Sequence, residues 1–331
     1  MVSNRIVVTT ERSERSDEAV AWLAESGLLP DSQVLVMHVV NNEIEEHQDA
    51  GLPDVAAATF RVACPSAVIE TSLPDGSVGH CVIAGASDWN ADLIVLGADH
   101  HTALERLVMG TVSQFVIERA HCPVLIAKQS EPAKRNNVLI AVDDSECSAA
   151  ALEWVSEQPW APGKNFVIVS IRHALPDSFT SGASTAQAAE MLLHRDVEES
   201  LLSHLVATWS DMLAQSLQKQ LVPFAISEGE PVSGILEYAN HWPIDMIVVG
   251  SHGRGGIRER LLGSVSQAVA RQAPCAVAIV RGLTSTRFDA ARKAIAESSD
   301  LATVMAEKPH PGRITGSVVG NNLTVGMSTV F

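Results

Sequence analysis

The chain carries one sequence pattern twice, and this repetition constrains its architecture more than any single motif. "IVVTTERSERSDEAVAWL" from Ile6 lies in register with "VLIAVDDSECSAAALEWV" from Val138. At constant offset Ser13 meets Ser145, Glu14 meets Glu146, Ser16 meets Ser148 and Trp22 meets Trp154. Farther on, "ADLIVLGADHHTALERLVMGTVSQFVIERAHCPVLIAK" from Ala91 matches "IDMIVVGSHGRGGIRERLLGSVSQAVARQAPCAVAIVR" from Ile244. There Gly97 meets Gly250, Gly110 meets Gly263, Ser113 meets Ser266 and Cys122 meets Cys275. Two domains are expected, 1–128 and 137–282, joined by the short polar linker 129–136. The segment 283–331 lies outside the register. Its "STRFDAARKAIAESSDL" reads as one helix, and the Gly-, Ser- and Thr-rich remainder as a weakly ordered appendage or an arm that docks on a partner.

Each repeat alternates short β-branched and aliphatic runs with helical patterns. In the second the runs are "VLIAV", "FVIVSI", "VPFAI", "MIVVG" and "AVAIV". Continuous apolar runs indicate strands buried on both faces. Strands alternating with helices indicate α/β domains, each a doubly wound five-stranded parallel sheet with helices on both faces. Ligands of such sheets bind at the carboxyl ends of the strands, where strand order reverses.

Composition narrows the partners. Of the 331 residues 46% are hydrophobic and 19% charged, as in a globular protein, and the net charge is −16. An acidic chain without a basic run repels nucleic acid and anionic membranes. No run approaches the length of a membrane span, and the N-terminus lacks a signal-peptide layout. The five cysteines form no C-x-x-C pair. They read as reduced thiols in a cytoplasmic protein rather than as a zinc site or a disulfide framework.

The chemistry concentrates in "GSHGRGGIRERLLGS", Gly250 to Ser264. Gly250 closes the fourth strand of the repeat and Gly263-Ser264 opens its last helix. Glycines at Gly250 and Gly253 allow the backbone to approach a ligand without a Cβ in the way. The free N–H groups and positive dipole end of the helix favour an anion, and the Ser264 hydroxyl adds a donor. Together these suit a di- or triphosphate. The loop is neither a P-loop nor a dinucleotide-binding fingerprint, and a Gly-rich crossover alone is weak evidence of a site.

The spacing of Gly250, Gly253, Gly263 and Ser264 resembles G-x2-G-x9-G-S/T, the nucleotide motif of the universal stress protein family, without a gap. The "VDDSECSAAALEW" stretch is similar to that family's opening strand. The resemblance covers both repeats and implies a tandem protein that binds ATP, with or without magnesium. It implies an acidic group near the adenosine at Asp143, Ala141 beneath the base, and Ile171 meeting the adenine edge through its backbone. It also implies phosphate-side roles for Gly250, Gly253, Arg254, Gly263, Ser264, Val265 and Ser266. Pairing of the last strands of the two repeats and a homo-oligomer are further implications, with an unnamed regulatory protein as partner.

The first repeat departs from this pattern. His100 stands at the Gly253 position and Glu11 at the Asp143 position, and "ADHHTAL" lacks the paired glycines Gly255 and Gly256. An imidazole where the backbone must approach closely obstructs phosphates, so the first site is expected to be degenerate. Asp99, His100 and His101 lack metal-ligand spacing. No catalytic base, metal carboxylate cluster or transition-state lysine is evident. A nucleotide-dependent sensor or regulator is the leading expectation. A slow ATPase or nucleotidyl-transfer enzyme on the same fold is one alternative, and a nucleotide-free structural protein is another.

Overall fold

The computed structural model describes residues 4–11, 13–40, 51–98, 110–128, 136–160, 163–173, 185–253, 262–282, 286–297 and 313, with backbone alone at 14, 15 and 185–194. The first repeat runs β1 (Arg5–Thr9), α1 (Glu14–Ser26), β2 (Gln33–Met37), α2 (Leu52–Ala63), β3 (Val68–Ser72), α3 (Val78–Asp88), β4 (Leu93–Gly97), α4 (Thr111–Arg119) and β5 (Val124–Ala127). The second runs β6 (Asn137–Ala141), α5 (Glu146–Glu157), β7 (Asn165–Arg172), α6 (Thr185–Ser216), β8 (Phe224–Glu228), α7 (Pro231–His241), β9 (Ile244–Gly250), α8 (Ser264–Gln272) and β10 (Ala276–Val280). A final helix, α9 (Arg287–Glu297), follows.

Local chemistry sets the helix ends. Ser13 and Ser145 cap α1 and α5 by accepting from the N–H groups of Ser16 and Ser148. Gly27 closes α1 in the left-handed conformation, with φ of 82°. The central strands β1, β4, β5, β6, β9 and β10 are almost wholly buried, which accounts for their unbroken apolar runs.

The strands form one ten-stranded sheet in the order β3-β2-β1-β4-β5-β10-β9-β6-β7-β8. Each half is a parallel, doubly wound sheet, and the halves meet where β5 and β10 pair antiparallel, Leu125 opposite Ala278. The last strand of each repeat thus covers the other's open edge. On one face α1, α2, α5, α6 and α9 contribute to a core that crosses this junction, and α3, α4, α7 and α8 do so on the other.

The helix α9 is docked on the second repeat. Phe288 is fully buried, Arg287 pairs with Glu153 at 2.9 Å, and the Trp209 indole N–H donates to the Phe288 carbonyl at 3.0 Å. Arg292 reaches the Asp144 carbonyl at 3.4 Å, beside the start of α5. Residue Arg313 forms a bridge with Phe224 on the edge strand β8.

The paired tryptophans act in packing. Trp154 lies buried edge-on to Trp160, Trp242 lies edge-on to Tyr238, Trp22 flanks the core, and Trp89 lies under the Arg5 guanidinium. No helix among the described residues is long and apolar enough to cross a membrane.

Candidate functional site

Strand order creates a cleft in the second repeat. The neighbours β6 and β9 are followed by helices on opposite faces, α5 on one and α8 on the other. Their carboxyl ends therefore part at a topological switch point. Asp143 follows β6, and Gly250 closes β9.

Asp143 is held in place by the turn that starts α5. Its Oδ1 accepts from the Ser148 hydroxyl at 2.7 Å and from the Ser145 N–H at 3.1 Å, while its own N–H donates to Ser148 Oγ at 2.9 Å. Hydrogen bonds to a charged group contribute about 1.5–3 kcal/mol each, enough to favour one carboxylate orientation. The other oxygen lies against the Gly253 backbone, 2.6 Å from where a Cβ would stand. A side chain at 253 would displace it, so Gly253 and Asp143 are one steric unit. Ser145 and Ser148 were visible in the sequence only as matched repeat positions. Their S-x-x-S spacing is a helix-capping signal that also orients the acid.

Gly250 has a different neighbour. A Cβ there would come within 2.8 Å of the Cys147 backbone carbon in the first turn of α5. Packing of β9 on α5 requires this glycine, whatever occupies the cleft.

Two hydrogen bonds fasten the start of α8 to the end of β9. The Gly263 N–H donates to the Ser251 carbonyl at 2.8 Å, and the Ser266 hydroxyl donates to the Gly250 carbonyl at 2.6 Å. The Ser266 side chain thus works inward as a tether. Exposed Ser264 opens the helix, and half-buried Val265 packs on the core. The N-cap is Gly263, with no side-chain cap, whereas Ser145 and Glu230 cap α5 and α7 of the same repeat. A helix start without a side-chain cap is one that can offer its N–H groups to an anion.

His252 completes this edge. Its Nδ1 lies 3.0 Å from Ser251 Oγ, and its buried Nε2 has no hydrogen-bond partner among the described residues. Burial lowers its pKa, and the nearby Arg281 charge lowers it further, both favouring the neutral ring.

The other expected residues sit farther along the edge. Buried Ala141 ends β6 between Val169 and Val249. Ile171 lies near the end of β7 and packs on α7, where a Cβ at Gly234 would be 3.0 Å from its Cδ1. Arg254 lies outside the described residues, as do Gly255 and Gly256. The structure brings Asp143, Gly250, Gly253, Gly263 and Ser266 into one cluster, with Ser264 beside it. No group of three His, Cys, Asp or Glu able to hold a metal ion occurs among the described residues.

The first repeat builds half of this arrangement. Gly110 caps α4 with φ of −58° and ψ of 151°, close to the −63° and 146° of Gly263. The Glu11 N–H donates to Ser16 Oγ, as Asp143 does to Ser148. The longer Glu11 side chain instead takes the Ser13 hydroxyl at 2.8 Å on the exposed side of the turn. His100 and His101 lie outside the described residues.

Comparison with known proteins accords with this architecture. A universal stress protein of Mycolicibacterium smegmatis is 25% identical over 303 residues, covering 83% of this chain and 96% of its own. Universal stress protein Rv1996 of Mycobacterium tuberculosis is 27% identical over 308 residues, covering 82% and 94%. Among solved structures, a universal stress protein from Archaeoglobus fulgidus superposes with a TM-score of 0.58 at 20% identity, over 85% of this chain and 97% of that one. A functionally unknown protein from Pseudomonas aeruginosa gives a TM-score of 0.62 at 16% identity, over 92% and 98%. The sequence model of the Universal stress protein family matches residues 3–128 and again 134–281. With the doubled motif, the doubly wound halves and this double match, the chain belongs to the universal stress protein family, in a tandem form.

Proposed function

We propose that the second repeat binds an adenine nucleotide, ATP foremost, and that the protein acts as a nucleotide-dependent regulator in a stress response. The observation that carries this reading is the first turn of α8, which has no side-chain cap and lies beside the Gly250 carbonyl and the Ser251–His252 backbone. Its N–H groups, with the Ser264 hydroxyl, suit the phosphates. The Asp143 carboxylate is negative and pinned by Ser148, so it belongs on the adenosine side, away from the phosphates. Ala141 and the Ile171 backbone would line the base, and Arg254 would join the phosphate side. A magnesium ion is usually held by one or two carboxylates and by the phosphates themselves, so it would enter with the nucleotide. Oδ1 of Asp143 is committed to Ser148 and Ser145, which fixes the direction in which Oδ2 faces the Gly253 backbone.

The test begins with purified protein that has been denatured and assayed for released nucleotide by mass spectrometry. Calorimetric titration of nucleotide-free protein with ATP, ADP, AMP and GTP follows. Saturable binding that prefers adenine nucleotides is expected. Absence of both copurified nucleotide and measurable ATP binding would leave the loop a simple crossover.

A further inference from the structure

Among the described residues, the most exposed large apolar side chains lie together beside the β3 edge of the first repeat. Val55 is 66% exposed and Val62 83% on α2, with Val68 at 57% and Leu73 at 46% in and after β3. The inner face of α2 is fully used, since Pro53, Ala56, Ala57 and Phe60 are buried. Val55, Ala58, Thr59 and Val62 follow i, i+3, i+4, i+7 spacing and are all exposed, so they form a second, outward, uncharged stripe with a valine at each end. A helix against one core needs only one such stripe. Solvated outer faces ordinarily carry charge, and this stripe carries none in a chain of net charge −16.

The charges that α2 does bear are arranged along one flank of the stripe. Asp54 lies in the first turn and Arg61 in the last. Both are exposed, and seven residues apart they share one side of the helix. Arg61 reaches toward the Ile69 carbonyl at 3.4 Å, which places this flank on the open side of the helix, over the edge strand β3. The helix dipole accounts for an acid at the first turn and a base at the last. It does not account for exposed valines between them.

We propose that α2 is a contact surface for a second copy of this chain, with the two α2 helices antiparallel about a two-fold axis. In that arrangement Val55 packs on Val62 of the other copy, and the small Ala58 and Thr59 let the helices approach at the centre. Antiparallel pairing brings like flanks together, so Asp54 meets Arg61 of the other copy and Arg61 meets Asp54. The surface is self-complementary in shape and charge, as a two-fold interface requires. Val68 and Leu73 extend the apolar area at its margin. A 12-residue helix is about 18 Å long, a small contact, so the dimer is expected to dissociate in the micromolar range.

Sedimentation velocity of the full chain over about 1–200 µM tests this. The wild type should shift from monomer to dimer. Val62→Glu, at an exposed site that leaves the fold intact by circular dichroism, should raise the dissociation constant about tenfold or more. Asp54→Arg and Arg61→Asp should each weaken the dimer by setting like charges opposite. The double variant Asp54→Arg/Arg61→Asp should return to within about threefold of wild type. A wild-type chain that stays monomeric throughout overturns the proposal, leaving the patch to a different partner or to none. So does a dimer indifferent to Val62→Glu, or a double variant that fails to recover.

Discussion

Lys128 and Arg281 hold equivalent places after the last strands of the two repeats, and each reaches across to the final helix of the other. The Lys128 ammonium donates to the carbonyls of Ala270, Arg271 and Ala273 at 2.9, 3.4 and 3.1 Å. The Arg281 guanidinium donates to the Ile117 carbonyl at 2.6 Å. A cation at a helix C-terminus satisfies orphan carbonyls and complements the dipole. The second repeat's last helix, α8, is thereby held at one end by the first repeat, while its other end faces the candidate phosphate site.

Lys128→Met should therefore destabilise the protein by about 1–3 kcal/mol near pH 9, through unpaired carbonyls. Burial lowers the Lys128 pKa from 10.5 to about 8, against a smaller opposing effect of Cys275. The unfolded chain keeps that proton up to about pH 10.5, so unfolding takes up a proton between about pH 8 and 10.5. Wild-type stability should rise with pH across this window relative to Lys128→Met. Urea unfolding of both proteins at several pH values measures the difference. A gap that narrows as pH rises would contradict a buried, depressed Lys128.

Ser264→Ala removes one hydroxyl from an exposed helix start. Nucleotide affinity should fall by about 1.5–3 kcal/mol, roughly tenfold or somewhat more, with the circular dichroism spectrum unchanged. Calorimetric titration with ATP reads it. Equal affinity in both proteins would remove this hydroxyl from the site.

Gly253→His copies into the second repeat the residue that the first has at His100. Even a Cβ at 253 would meet Asp143 Oδ2 at 2.6 Å, so the carboxylate must swing away as the imidazole enters the cleft. Binding should drop below detection rather than tenfold. Wild type should titrate at one nucleotide per chain, and His100→Gly should add no second site, because Glu11 still differs. Two nucleotides per wild-type chain, or full binding by Gly253→His, would mean that the second repeat alone does not carry the site.

Phe288→Ala tests the docking of α9. The side chain is fully buried, and its carbonyl accepts from Trp209, so truncation should cost about 3–5 kcal/mol. Thermal and urea unfolding measure it. A loss near zero would show that the second repeat does not depend on this helix.

The sequence by itself determined the doubled architecture, the strand and helix order, and the Gly250, Gly253, Gly263, Ser264 spacing. Those signals are local: apolar run length, capping residues and glycine placement depend on a few neighbouring residues. The β5–β10 pairing came from family resemblance, but its consequence, the crossed caps of Lys128 and Arg281, is absent from any local pattern. It depends on which carbonyls an antiparallel junction brings within reach of each side chain. Only the tertiary structure showed that Gly250 makes room for α5 and that Gly253 makes room for Asp143. A glycine looks the same in sequence whether a ligand or a neighbouring helix needs the space. The docking of α9 was equally hidden, because Phe288 finds its pocket beside Trp209, a residue 79 positions earlier in the chain. Burial of that kind is decided by packing between distant elements, and sequence periodicity within α9 carries no information about its partner.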